Sequence, residues 1–195
     1  MGNLWKGFKE HRTFRFTSLL VILLIALVVL APVIAPYNPL EAVMKDANQA
    51  PSMAHLFGTD KLGRDVLSRI LYGGAYSLSS VLALVAIIFC VGTFLGLVAG
   101  YFGGLIDTVI MRIADMMISF PGVILAIAIA GIMGGSLVNA MIALTAVTWT
   151  KYARLSRSMV LKIRKRDFVD AAIVSGGTSS HILWTHIMPN VVPIL

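Results

Sequence analysis

Apolar residues in this chain come as long unbroken runs, separated by segments that gather the charge. Residues 16–40 carry no charged side chain. We place a first helical span at residues 17–35, with Pro32 and Pro36 marking its exit. Residues 37–76 form a polar loop. Residues 70–106 are again free of charge and predict a second span over residues 77–100, closed by a Tyr-Phe-Gly-Gly turn. A third span is expected from Asp107 to Met133, and Pro121 should kink it, because proline removes a helix hydrogen bond. Gly134, Gly135 and Ser136 make a turn, and a fourth span follows over residues 137–152. A lipid core of about 30 Å needs roughly 20 helical residues per crossing. Strands of a membrane barrel would alternate apolar and polar residues. The fold expected is therefore an all-α integral membrane protein with four transmembrane helices.

Composition agrees. The chain is 58% hydrophobic and 13% charged, with mean hydropathy +0.88, against about 25% charged residues in soluble domains. The net charge of +7 matters through its placement. Lys6, Lys9, Arg12 and Arg15 precede the first span, and Lys151, Arg154, Arg157, Lys162, Arg164, Lys165 and Arg166 follow the fourth. Basic flanks mark the cytoplasmic side, so an even number of spans puts the N-terminus and residues 151–166 in the cytoplasm. The 37–76 loop, with four basic and four acidic residues, then lies outside. We read the first span as an uncleaved anchor rather than a signal peptide. No helix-turn-helix or aromatic-basic platform accompanies the charge, which argues against nucleic-acid binding. The single cysteine, Cys90, sits in an apolar run and reads as a small hydrophobe.

Gly92, Gly96 and Gly100 repeat at a spacing of four. That spacing lines one helix face with residues small enough for close helix packing. Arg112 and Asp115, three apart, are expected to form an intramembrane ion pair. Trp149, Lys151, Tyr152 and Arg154 suit a membrane interface. Beyond the basic stretch, residues 170–190 read DAAIVSGGTSSHILWTHIMPN. Asp170, Ala171 and Ala172 open a short helix, Gly176 and Gly177 break it, Ser179 or Ser180 would cap a second helix, and Pro189 interrupts that one. No Gly-x4-Gly-Lys-Ser/Thr loop, His-Glu-x-x-His pair or Ser-His-Asp constellation is apparent, so neither catalysis nor a cofactor is expected. His181 and His186 are five apart, which separates them on an α-helix, and no metal site is expected there.

The 170–190 segment resembles the EAA loop of ABC importer permeases, Glu-Ala-Ala, three residues, Gly, nine residues, Ile-x-Leu-Pro. Ala171, Ala172, Gly176 and Pro189 are in register with it. Asp170 stands for the Glu, His186 for the Ile and Met188 for the Leu. Residues 58–65, Gly-Thr-Asp-Lys-Leu-Gly-Arg-Asp, resemble the segment before the core domain in C-type permeases for dipeptides, oligopeptides and nickel. His186 ahead of the Met-Pro-Asn run, ending in Asn190, fits the same subfamily. The resemblance implies a six-helix permease fold with residues 165–190 as a cytoplasmic coupling loop. It also implies pairing with a homologous permease subunit, docking of two ABC ATPase subunits, delivery by an extracytoplasmic substrate-binding protein, and residence in the inner membrane. On this reading residues 1–76 form an anchor and outer loop, and residues 77–195 the transmembrane domain. The family places two more spans after the loop, so the chain, ending at Leu195, reads as a C-terminally truncated form or fragment. A secondary carrier would be expected to show paired repeats, and none is evident.

Overall fold

The computed structural model describes residues 12–195. The basic residues Lys6 and Lys9 lie outside that range. Two compact units divide between Val81 and Leu82.

In the first unit, α1 (Arg12–Val29) is apolar around its whole circumference from Leu19 onward and buries no residue. A helix that is hydrophobic all round belongs in lipid or in the core of a larger assembly. After one turn at Leu30 the chain continues as α2 (Ala31–Ile34), with Pro32 in its first turn, where a missing N–H costs nothing. The loop that follows is built on side-chain carboxylates. Asp60 accepts from the backbone N–H of Leu62 and of Arg64 and from Arg64 Nε at 2.9 Å, and pairs with Arg69. Gly63 has φ +73°, and a Cβ there would strike the carbonyl of Val43, so this turn requires glycine.

Helix α3 (Val66–Phe102) starts in the first unit and continues into the second. Its start is fixed by Asp65, which accepts from the backbone N–H and hydroxyl of Ser68 at 2.8 and 2.7 Å and lies 3.0 Å from His55 Nδ1. At 37 residues and 1.5 Å per residue, α3 is roughly 55 Å long, well beyond the lipid core. The helix starts eleven residues before the span expected at 77, because the apolar run is extended by an N-terminal cap that hydropathy does not register.

The second unit holds the rest. Helix α4 (Gly104–Ile118) and α5 (Gly122–Met133) meet at a bend of 92° around Ser119, Phe120 and Pro121. The sequence predicted a kink in one span, and the structure makes a right-angled break. Helix α6 (Leu137–Ile163) begins at Ser136, whose hydroxyl accepts the Asn139 N–H at 3.1 Å. Two described helices, α1 and α3, are long and apolar enough to cross a membrane, or three spans if the bent α4–α5 pair counts as one. The expected fourth span is the first part of α6. Only 14 residues, 137–150, precede Lys151 there, about 21 Å of helix. Short helix α7 (Asp167–Val174) and α8, residues 179–191, complete the unit. The described residues include no strand, only an isolated bridge between Thr59 and Asp65.

Candidate functional site

The glycine face of α3 lies directly on α6. A Cβ on Gly92 would stand 2.5 Å from the Trp149 carbonyl and 2.6 Å from Tyr152 Cβ. One on Gly96 would strike the Ala153 carbonyl and stand 2.6 Å from Ser156 Cβ, and one on Gly100 would meet Val160 at 2.8 Å. The expected packing ladder is therefore an intrachain contact with α6. It brings the C-terminal parts of both helices together, where α7 and α8 pack against them.

Helix α4 is tied to the same α6. Asp107 pairs with Arg157, and Asp115 with Arg154. This corrects the expected pair between Arg112 and Asp115. The packed face of α4 runs through Asp107, Ile110, Met111 and Ala114, the last three resting against Trp149 and Ala153. Arg112 lies on the opposite side of the helix, is exposed, and makes no ion pair among the described residues. Asp115, at the edge of the packed face, is met by an arginine from the neighbouring helix instead.

Helix α6 delivers the chain into residues 165–190. At its end Arg164 donates to the Tyr101 carbonyl at 2.8 Å and lies over the Tyr101 ring. A cation is thus placed on the last carbonyls of α3, where the helix dipole favours it. Helix α7 carries Asp167 and Asp170 in its first turn, the charge sign its N-terminus prefers. It ends in a paired backbone cap. The Gly176 N–H donates to the Ile173 carbonyl and the Gly177 N–H to the Ala172 carbonyl, each at 3.0 Å. This is the Schellman arrangement, which needs a left-handed residue after the helix, and Gly176 supplies it with φ +81°. Ala171 accepts from both the backbone and the hydroxyl of Ser175. The second helix is capped by Thr178, whose hydroxyl accepts the His181 N–H at 3.3 Å. The cap expected at Ser179 or Ser180 thus sits one residue earlier, because the turn after Gly177 is tight.

Inside α8, residues Ile182–Ile187 form a π-turn. Pro189 supplies a cause. It has no N–H for the Thr185 carbonyl, and its ring crowds that carbonyl. A wider turn with the Met188 N–H bonded to the Leu183 carbonyl relieves both. Asn190 Nδ2 then donates to the His186 carbonyl at 2.7 Å. The sequence reading placed His181 and His186 on different faces. The π-turn brings their rings to 5.7 Å, nearly edge-on.

These elements share one core. Leu97 and Tyr101 of α3, Val160 and Ile163 of α6, Val169 of α7, and Ile182, Leu183, Ile187 and Val191 of α8 are all buried together. Trp184 stacks on Phe94 at 6.1 Å. Burying a large aliphatic side chain stabilises by about 1.5–3 kcal/mol, so the eight aliphatic residues of this core, five of them from α7 and α8, hold the loop firmly to both long helices. Its outer surface is different. Phe168 is 42% exposed, Ile173 52% and Val174 87%, flanked by Asp167 and Asp170 and by the basic run 162–166. Of the expected residues, Asp170, Ala171, Gly176, Pro189 and Asn190 are exposed, and Ala172 and His186 are half-buried.

Residues 92–195 match the family described as binding-protein-dependent transport system inner membrane component. The chain belongs to this family. Residues 1–51 match the N-terminal transmembrane domain of oligopeptide transport permease C. Among curated proteins, the chain is 37% identical over 193 residues to the dipeptide transport system permease protein of Haemophilus influenzae, covering 95% of this chain and 65% of that one. It is 38% identical over 186 residues to the glutathione transport system permease protein of Pectobacterium atrosepticum, covering 95% and 62%. It is 37% identical over 179 residues to the probable D,D-dipeptide transport system permease protein of Escherichia coli, covering 92% and 60%. The chain thus spans about three-fifths of the length of these relatives. The family is one of transport-system membrane components, not of enzymes.

One polar cluster escaped the sequence reading. His55, Asp65 and Ser68, in the loop before α3 and at its start, are bonded in a row, with Tyr37 N–H donating to Ser68 Oγ at 3.2 Å. The arrangement is structural. Asp65 sits between the other two, and the fully buried Ser68 hydroxyl bonds the carboxylate rather than the imidazole. Burial pushes the Asp65 carboxyl up, but the bonds from Ser68 and His55 outweigh it and hold it below the usual carboxylate range. Asp60 is likewise lowered, its desolvation outweighed by bonds from Arg64 and Leu62.

Proposed function

We propose that this chain is the permease subunit of an ATP-driven importer of dipeptides or oligopeptides, and that residues 165–190 are the loop through which ATPase subunits drive it. One observation carries the reading: an exposed apolar tip, Phe168, Ile173 and Val174, stands on a segment whose inner side is locked into α3 and α6. An apolar tip ringed by charge suits a protein partner, and a rigid base lets force applied at the tip reach the spans. The relatives named for dipeptides and glutathione favour small peptides over nickel or its chelates. The full assembly on this reading holds a homologous permease, two ABC ATPase subunits and an extracytoplasmic binding protein. Four spans of a six-helix fold would come from this chain, with the N-terminus and the loop in the cytoplasm. The basic residues of 151–166 and the carboxylate-pinned loop on the other side of α3 support that orientation. Transport then amounts to a two-state change of the spans, whose populations ATP shifts through the loop.

The test is copurification with the ATPase subunits of the same transport system. Val174→Asp changes a side chain with no packing role and should abolish copurification while the chain stays folded. A Val174→Asp chain that retains the ATPase at the wild-type level refutes docking through this loop.

A further inference from the structure

We propose that His181 and His186 form an open site for a late first-row divalent cation, Cu2+, Ni2+ or Zn2+, on the exposed side of α8. Imidazole nitrogens suit these metals. Two rings that share one ion at about 2.0–2.1 Å from each nitrogen have centroids roughly 5–6 Å apart, and the observed separation is 5.7 Å. Thr185 Oγ1 lies 3.3 Å from His181 Nδ1. That contact orients the ring and leaves Nε2 free as the donor, the usual division between metal and outer-shell partner. The backbone at His186 is pinned by Asn190. Both rings are reachable, His181 exposed and His186 half-buried. Among the described residues no third His, Cys, Asp or Glu completes a closed cluster, so water would fill the remaining positions.

The site depends on the π-turn. In a regular α-helix, residues five apart lie about 140° from one another around the axis, and no ion could bridge them. A bound cation therefore holds Ile182–Ile187 in the π form. The same form seats Leu183 and Ile187 in the core and Trp184 on Phe94.

The experiment uses the full chain, without a histidine tag, in detergent micelles and chelator-free buffer. Cu2+ is titrated as the probe and followed by electron paramagnetic resonance, and Ni2+ by calorimetry. The expected result is one ion per chain with a two-nitrogen signature, and binding weakened about tenfold or more by His181→Gln and by His186→Gln. A His11→Gln/His55→Gln chain should bind as the wild type does. Inserting one alanine between Thr185 and His186 keeps both histidines but separates their faces, and should leave a one-nitrogen signature. The proposal is overturned by wild-type affinity in either single variant, by a two-nitrogen signature in the insertion variant, or by binding weaker than about 1 mM.

Discussion

Gly→Ala should change sign along a single helix. In α3 the same substitution can be made at Gly73, where an added Cβ meets nothing within 4 Å, and at Gly92, Gly96 and Gly100, where it meets α6. Exchanging glycine for alanine inside a helix contributes about 0.8–1.0 kcal/mol of stability through the backbone. Gly73→Ala should show that gain. At Gly96 the added methyl strikes the Ala153 carbonyl and the Ser156 Cβ, both carried by helix backbone that does not swing away. Overpacking of that kind costs typically 1–3 kcal/mol. Subtracting the propensity gain leaves Gly96→Ala destabilised by up to about 2 kcal/mol. Gly92→Ala should be close to it, since it also meets a backbone carbonyl. Gly100→Ala should cost least of the three, because its nearest atoms belong to the Val160 side chain. The Ser156 hydroxyl, buried in this interface without a partner, gives the contact no polar bond to offset the crowding. The assay is equilibrium unfolding of the full chain in micelles, followed by the fluorescence of Trp149, which lies in the same contact. A Gly96→Ala chain as stable as Gly73→Ala would refute the packing of α3 on α6 described here.

Asp65→Asn should loosen the loop before α3 by about 2–3 kcal/mol, because hydrogen bonds to a buried charged group are lost, and limited proteolysis within residues 37–64 reads this directly. The folded carboxyl of Asp65 is depressed, so its contribution is fully present above the unfolded value of about 3.9 and is lost as pH falls through the folded value. Protection from proteolysis should therefore fade in acid below about pH 4, and Asp65→Asn should remove its part of that dependence. Gly176→Ala meets no atom but must hold φ +81°, so it should cost about 1–2 kcal/mol in thermal unfolding from backbone strain alone. Thr178→Ala should cost about 1 kcal/mol through the lost cap, measured the same way. A double-mutant cycle on Asp107 and Arg157, whose side chains are 18% and 33% exposed, should give a larger coupling than one on Asp115 and Arg154, at 54% and 47%. The second should fall near the 0.2–1 kcal/mol range of exposed pairs, at about its lower end.

What the sequence made legible was whatever depends on one residue and its own helix. Gly92, Gly96 and Gly100 announce a packing face because a spacing of four is a property of one helix, and the structure puts α6 on that face. Gly176 announces a helix end because its backbone freedom is its own. Distant partners were not legible. Arg112 and Asp115 share a helix and so looked like a pair, yet Asp115 finds Arg154, 39 residues away. His55, Asp65 and Ser68 come together only through the turns at Gly58 and Gly63, both with positive φ. Nor was the size of a distortion legible. Pro121 promises a break in the hydrogen-bond ladder, but the 92° angle depends on how α5 packs against α6.

Pro189 shows the same limit acting on the site itself. Its lost N–H is visible in the sequence, and a helix can answer that loss by kinking, by ending, or by widening. Here the third outcome is favoured by what lies on either side. Ile182 and Leu183 are buried at the start of the turn and Ile187 at its end. A kink or a stop would pull one of these groups out of the core shared with Leu97, Tyr101 and Val160. Exposing a single large aliphatic side chain costs about 1.5–3 kcal/mol, more than the one hydrogen bond of about 1 kcal/mol at stake. The chain therefore keeps its core and stretches the turn. A Pro189→Ala chain restores the N–H and removes the crowding, so the turn should relax toward α geometry. His181 and His186 would then move apart, and a two-nitrogen copper signature should fall to one. If Pro189→Ala keeps the two-nitrogen signature, proline is not what holds the π form.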